Sequence, residues 1–182
     1  MRRRGAIFLD RDGVINEEVG DYVTSWEKFI FRPRIFDILK LLKERKIKVF
    51  IVTNQSAIGR KLMTIDDLED IHVKMLDEIE KNEGEIEQIY CCPHLKENRC
   101  YCRKPSIGMI KAAVEEYDVS LLHSIMIGDG SSDIVAGYNA GCRTMLTITD
   151  RSLKYGTVIG PNFIAKDMNI VYEILEKETR KW

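Results

Sequence analysis

The 182-residue sequence has no apolar run long enough to span a bilayer, which excludes a helical membrane protein. An excess of charge of one sign is also missing. Lys and Arg number 28 against 29 Asp and Glu, and a net charge of −1 gives no electrostatic basis for binding nucleic acid. There is no internal repeat and no low-complexity segment. Arg2, Arg3 and Arg4 form a small basic cluster, but no signal-peptide apolar region or cleavage site follows them, so a solvated end of a cytoplasmic protein is expected. The cysteines are not spread as a disulfide framework. Four of the five lie between Cys91 and Cys102, which points to metal binding in a reducing compartment.

What is present suits a globular chain: 45% hydrophobic and 31% charged residues, at a length that fits one well-packed domain over 1–182. The chain is organised around AIFLDRDGVIN. Ala6 to Leu9 predict a short strand buried on both faces, and Asp10 and Asp12 follow at its C-terminal end. Two carboxylates so close repel in a low-dielectric site unless a cation lies between them or one is protonated, and a hard cation such as Mg²⁺ suits oxygen ligands. Gly13 lets the chain turn so that nearby amides can form an anion-binding nest. Taken alone, Asp-x-Asp fits a solvated surface turn equally well.

The residues that follow favour the phosphate site. Asn16 to Lys28 is polar and turn-rich and is expected as a loop over the site. Arg34 to Lys46 has helical apolar spacing, and Val49 to Val52 predicts a second strand ending in Thr53-Asn54-Gln55-Ser56. Parallel strands joined by a crossover bring Asp10, Asp12 and Thr53 to one sheet edge, where ligands bind in open α/β folds. Helix capping is nearly as common a reason for such a polar tetrad, but it is less attractive at a strand end opposite the carboxylates. Thr64 is expected to cap a helix carrying Leu68, Ile71, Met75 and Ile79, with His72 at its boundary. A third strand is expected at Ile86 to Tyr90.

In CCPHLKENRCYCRKP, Cys92 with His94 and Cys100 with Cys102 form two closely spaced pairs, a Cys₃His set for a closed, structural Zn²⁺ site. The zinc loop, about 91–104, would deliver Arg103 and Lys104 at a fixed place, Lys104 for a phosphate and Arg103 for a second oxyanion. Cys91 is assigned to the preceding strand and Cys142 to the core. A helix over Ser106 to Tyr117 and a fourth strand at Ile125 to Ile127 precede GDGSSD. Asp129 repeats the carboxylate at a strand end and would complete the Mg²⁺ site. Asp133, in the first turn of the next helix, can orient Lys104 or simply favour the helix N-terminus. Thr144 to Thr147 predicts a fifth strand and Ile170 to Leu175 a last helix, with Lys177 to Trp182 frayed.

DRDGVIN, TNQS, CRKP and GDGSSD, in that order, resemble the four motifs of the haloacid dehalogenase superfamily of phosphohydrolases. The CPH and CxCRKP segment is similar to the branch that holds histidinol-phosphate and D-glycero-D-manno-heptose 1,7-bisphosphate phosphatases. The resemblance covers Ala6 to Thr147. It implies Asp10 as nucleophile, Asp12 as general acid and base, and Mg²⁺ held by Asp10, the Asp12 carbonyl and Asp129. It also implies Thr53, Asn54 and Lys104 at the transferring phosphate, and Glu18, Gly20, Tyr22, Gln55, Ser56 and Arg103 toward the substrate. TNQSAIGR, Gly20 and Tyr22 favour the heptose bisphosphate, and the five-residue gap from His94 to Cys100 favours histidinol phosphate. Ala57 and Lys61 stand where the heptose enzymes usually have glycine.

The expected fold is a single Rossmann-like α/β domain, its mostly parallel central sheet flanked by helices. The spacing of Asp12, Thr53 and Lys104 leaves no room for a separate cap domain. The expected protein is a monomer with a small phosphorylated metabolite as substrate. Two other classes share part of this pattern. A receiver domain also combines an acidic Mg²⁺ pocket with Thr and Lys, but its phosphorylated aspartate follows the third strand. A zinc-stabilised binding module would not need the full set of catalytic residue types.

Overall fold

The computed structural model describes residues 4–150, 152 and 160–182. Arg2 and Arg3 of the expected basic cluster lie outside the described residues.

Six parallel strands form one sheet in the order β3-β2-β1-β4-β5-β6. They are β1 (Ala6–Leu9), β2 (Lys48–Asn54), β3 (Gln88–Cys92), β4 (Ile125–Gly128), β5 (Arg143–Thr147) and β6 (Phe163–Ala165). The helices are α1 (Ile35–Glu44), α2 (Ser56–Gly59), α3 (Ile65–Lys81), α4 (Gly108–Tyr117), α5 (Ser131–Ala140) and α6 (Met168–Glu178). In this order the chain reverses its direction of winding between β1 and β4, which pair directly, Leu9 opposite Ile127. Asp10 and Asp129 leave these neighbouring strands at their carboxyl ends, where a doubly wound sheet opens a crevice.

Period-two alternation divides the core. Ile7, Leu9, Val49 and Ile51 belong to the layer under α1, α3 and α6, whereas Ala6, Phe8, Phe50 and Val52 belong to the layer under α4. All of β1 is buried, as expected for a central parallel strand. Phe8 and Phe50 stack with ring centroids 5.4 Å apart, which ties β1 to β2 on the α4 side. Thr64 caps α3 in a reciprocal box with Asp67, satisfying donors that the first helical turn leaves open. No insertion forms a separate cap among the described residues; α1 separates β1 from β2, and α2 and α3 separate β2 from β3.

Three expectations need correction. The third strand begins at Gln88, opposite Phe50, and runs through Cys92, two residues later than the apolar pattern implied; the Glu87 amide donates to the Val49 carbonyl just ahead of it. A sixth strand, only three residues long, pairs with β5. The C-terminal segment is not frayed. Thr179 is buried, its hydroxyl accepts from Arg45 Nη1 at 2.6 Å, and Trp182 packs against the core layer of α1 and α6. Cys91 lies in β3 and Cys142 is buried, as expected.

Candidate active site and zinc loop

The loop after β1 is closed by its own backbone. The Arg11 carbonyl accepts from the amides of Val14, Ile15 and Asn16, and the Gly13 amide donates to the Asn16 carbonyl. Gly13 has φ +83°, and a Cβ there would come within 2.4 Å of Asp129 Oδ2. The position therefore needs glycine twice over, for its backbone and for the approach of the second carboxylate. Gly128 meets a similar demand, because a Cβ would fall 2.2 Å from that of Asp133.

Asp10, Asp129 and Asp133 are all buried, each offering a carboxylate oxygen within 4.8 Å of the others. Lys104 Nζ lies 2.9 Å from Asp10 Oδ1 and 2.7 Å from Asp133 Oδ1, and donates to the Val52 carbonyl at 2.6 Å. Burial pushes the Asp10 carboxyl up, Lys104 pulls it back, and Asp133 and Asp129 push it up again, to about 7. Burial alone would lower the Lys104 ammonium, but Asp10 and Asp133 outweigh it and raise it. Three buried carboxylates against one lysine make an all-oxygen donor set with an excess of negative charge, which fits a hard divalent cation. Asp133 thus does what its helical position allowed, holding Lys104, while its Oδ2 accepts the Gly130 amide at 3.0 Å.

The Asp12 side chain is not in that cluster. Its carboxylate is turned into a cage formed by Arg11, Asn16 Nδ2 at 2.9 Å and Gln55 Nε2 at 2.9 Å. Burial raises the Asp12 carboxyl, and the Arg11 charge with these hydrogen bonds more than reverses that, holding it below the usual carboxylate range. Arg11 itself is fully buried, a charged side chain that position between two acids did not reveal. Behind it, Nη1 meets His72 Nε2 at 3.5 Å. His72 is therefore a boundary residue that meets the site through Arg11.

Other expected residues are brought together, some in altered roles. Thr53 is buried and its Oγ1 accepts from Gln55 Nε2 at 2.9 Å, leaving the hydroxyl proton to donate. Asn54 lines the cleft and braces Lys104: its side-chain amide donates to the Lys104 carbonyl at 3.1 Å and accepts the Lys104 amide at 3.0 Å. Gln55 serves Asp12 and Thr53, and Ser56 opens α2 at the cleft wall. Glu18, Gly20 and Tyr22 line a cleft of about 1000 Å³ together with Asp10 and Asp12, so the Asn16 to Lys28 loop borders the site as expected. Tyr22 Oη accepts from Arg60 Nε at 2.8 Å.

Cys92, His94, Cys100 and Cys102 converge with neighbouring ligand atoms 3.3–3.5 Å apart. These separations are close to the edges of a thiolate and imidazole tetrahedron around zinc, roughly 3.5–3.8 Å for bonds of about 2.0–2.3 Å. Arg103 Nη1 donates to the His94 carbonyl at 3.0 Å, so the ligand loop seats the arginine that follows it. Arg103 lines the cleft, joined by Lys96 and Arg99, two cations that the motif spacing did not single out.

Two further residues, beyond the end of β5, reach Asp129. Thr149 Oγ1 donates to Asp129 Oδ2 at 2.9 Å, and Ser152 Oγ donates to the Asp129 carbonyl at 2.5 Å. Neither belongs to a recognisable motif.

Comparison with known proteins agrees with this geometry. The HAD-hydrolase-like family model matches residues 101–169. A D-glycero-beta-D-manno-heptose-1,7-bisphosphate 7-phosphatase of Helicobacter pylori is 41% identical over 82% of this chain and 86% of its own. A D-glycero-alpha-D-manno-heptose-1,7-bisphosphate 7-phosphatase of Campylobacter jejuni is 41% identical over 80% of this chain and 83% of its own. The crystal structure of the D,D-heptose 1,7-bisphosphate phosphatase of Bordetella bronchiseptica, complexed with magnesium and phosphate, superposes with a TM-score of 0.88. It is 32% identical and covers 96% of this chain and 99% of that one. With relatives this similar over most of its length, the chain belongs to the heptose-bisphosphate phosphatase family of the haloacid dehalogenase superfamily and is a phosphatase.

Proposed function

We propose that the protein removes the 7-phosphate of D-glycero-D-manno-heptose 1,7-bisphosphate through an aspartyl-phosphate on Asp10. The observation that carries this reading is a cleft with two cationic stations. Lys104 sits against the Asp10 carboxylate, and Lys96, Arg99 and Arg103 line the same cleft from the zinc loop. A substrate with two phosphates engages both. The names of the relatives favour the heptose over histidinol phosphate, which carries one phosphate.

Asp10, Asp129 and the Asp12 carbonyl would hold Mg²⁺, which when bound offsets the charge between an anionic nucleophile and an anionic phosphate. Lys104 and the Arg11 amide both bind Asp10 Oδ1, so neither competes for Oδ2. An Asp10 oxygen forms a bond to phosphorus as the bond to the sugar oxygen breaks. Lys104 and the Thr53 hydroxyl stabilise charge on the transferring oxygens. Asp12 starts as a carboxylate held by Arg11 and takes up a proton from solvent as the anionic phosphate enters. It delivers that proton to the departing sugar oxygen. A water then attacks phosphorus and Asp12 accepts its proton; phosphate departs, Asp10 is restored, and Asp12 returns to a carboxylate as it releases that proton to solvent.

The zinc set of Cys92, His94, Cys100 and Cys102 leaves no open position and is structural in this reading. Every residue given a role here belongs to one chain, as the proposed monomer requires. Zinc thiolates suit the reducing cytoplasm, and no helix among the described residues is long and apolar enough to cross a membrane.

The test is phosphate release with Mg²⁺ from both anomers of heptose 1,7-bisphosphate, histidinol phosphate, fructose 1,6-bisphosphate and p-nitrophenyl phosphate. The highest kcat/KM should fall to a heptose bisphosphate. A higher value for histidinol phosphate would overturn the substrate assignment and leave the chemistry standing.

A further inference from the structure

Thr149 and Ser152 form a clasp on Asp129 that links the end of β5 to the end of β4. Thr149 Oγ1 lies 2.9 Å from Asp129 Oδ2; Ser152 Oγ lies 2.5 Å from the Asp129 carbonyl and 3.0 Å from that of Thr147. The two hydroxyl oxygens are 3.3 Å apart, and each also accepts the other residue's main-chain amide at 3.3 Å.

The reciprocal bonding of each hydroxyl to the other residue's amide accounts for the accepted hydrogen bonds but not for the donated ones. Each hydroxyl has a single proton. Ser152 has two carbonyls within reach, which can only accept, so its proton goes to them. Thr149 then has the Asp129 carboxylate at 2.9 Å against the Ser152 oxygen at 3.3 Å, and the anion is the stronger acceptor. Asp129 is thus held at two points, by its carboxylate and by its own carbonyl. Asp129 is fully buried, so water does not take the place of these donors.

We infer that Thr149 is a positioning residue for the metal-binding carboxylate of Asp129, with Ser152 fixing the main chain of the same residue. The inference rests on the Mg²⁺ reading above. A hydroxyl on Oδ2 sets the rotation of the carboxylate plane. The ligand then meets the ion already oriented, as outer hydrogen bonds do for metal ligands in general.

The test is Mn²⁺ affinity of the full chain, followed by the electron paramagnetic resonance of the free ion well below the unfolding temperature. Thr149→Val should bind Mn²⁺ about 10–100-fold more weakly than wild type, and Thr149→Ser, which keeps the donor, should bind close to wild type. Wild-type affinity in Thr149→Val would overturn the inference. Equal weakening in Thr149→Ser would overturn it as well, because the hydroxyl would not be the determinant. If Thr149→Val does not fold, Ser152→Ala is the second variant, expected to weaken Mn²⁺ binding measurably; unchanged affinity there contradicts the clasp. A wild-type protein that binds no Mn²⁺ would overturn the metal reading, and this inference with it.

Discussion

Arg11 Nη2 lies 2.9 and 3.0 Å from the two carboxylate oxygens of Asp12, and its Nε lies 3.2 Å from one of them. Neighbours in sequence, they pair a buried arginine with a half-buried acid, and the planar fork fixes that acid beside the nucleophile. Asn16 and Gln55 donate to the same carboxylate, so every partner of Asp12 in this cage is a donor.

Asp12→Asn should lower kcat/KM on the sugar phosphate by about 10²–10⁴-fold. The loss should be smaller on p-nitrophenyl phosphate, whose leaving group departs without a proton. Steady-state rates on the two substrates check this. Equal losses on both would remove Asp12 from the acid role.

Lys104→Met should abolish turnover and destabilise the fold, because Asp10 and Asp133 would share a buried site without their cation. Removing one partner of such a buried set costs about 3–5 kcal/mol. Urea unfolding measures it, and a shift near zero would contradict the burial of Lys104.

His72 gives a pH prediction. Burial, then the charge of Arg11, press its imidazole down from 6.5 to about 4, with Asp12 pulling the other way. A histidine depressed in the folded state contributes stability that is fully present above pH 6.5 and lost as pH falls toward about 4. Wild type should therefore lose urea stability between these values more steeply than His72→Gln. Parallel curves for the two proteins would contradict a half-buried, neutral His72.

Zinc analysis should find one tightly held ion per chain, lost in Cys102→Ser. Loosening the ligand loop frees Arg103 from the His94 carbonyl. KM should then rise more for a bisphosphate than for p-nitrophenyl phosphate. Equal rises would detach the zinc loop from recognition of the second phosphate.

The sequence made the strand-end acids legible because parallel topology carries every strand's carboxyl end to one edge; Asp10, Asp129 and Lys104 converge for that reason. The zinc set was legible because its ligands are local in sequence. Arg11 was not: a charged residue between two acids suggests solvent, and its second neighbour, His72, lies 61 positions away. Thr149 and Ser152 were hidden because their partner, Asp129, sits on another strand. The sixth strand is three residues long, too short for any periodicity, and the brace of Asn54 on the main chain of Lys104 was hidden because 50 residues separate the two.

The central claim is covalent catalysis by Asp10, and the most direct measurement is turnover of Asp10→Asn on heptose 1,7-bisphosphate with saturating Mg²⁺. The substitution keeps the side chain's shape at a buried position. The account predicts no phosphate release from a variant whose circular dichroism and unfolding remain those of a folded protein. Sustained turnover by that folded variant would contradict it.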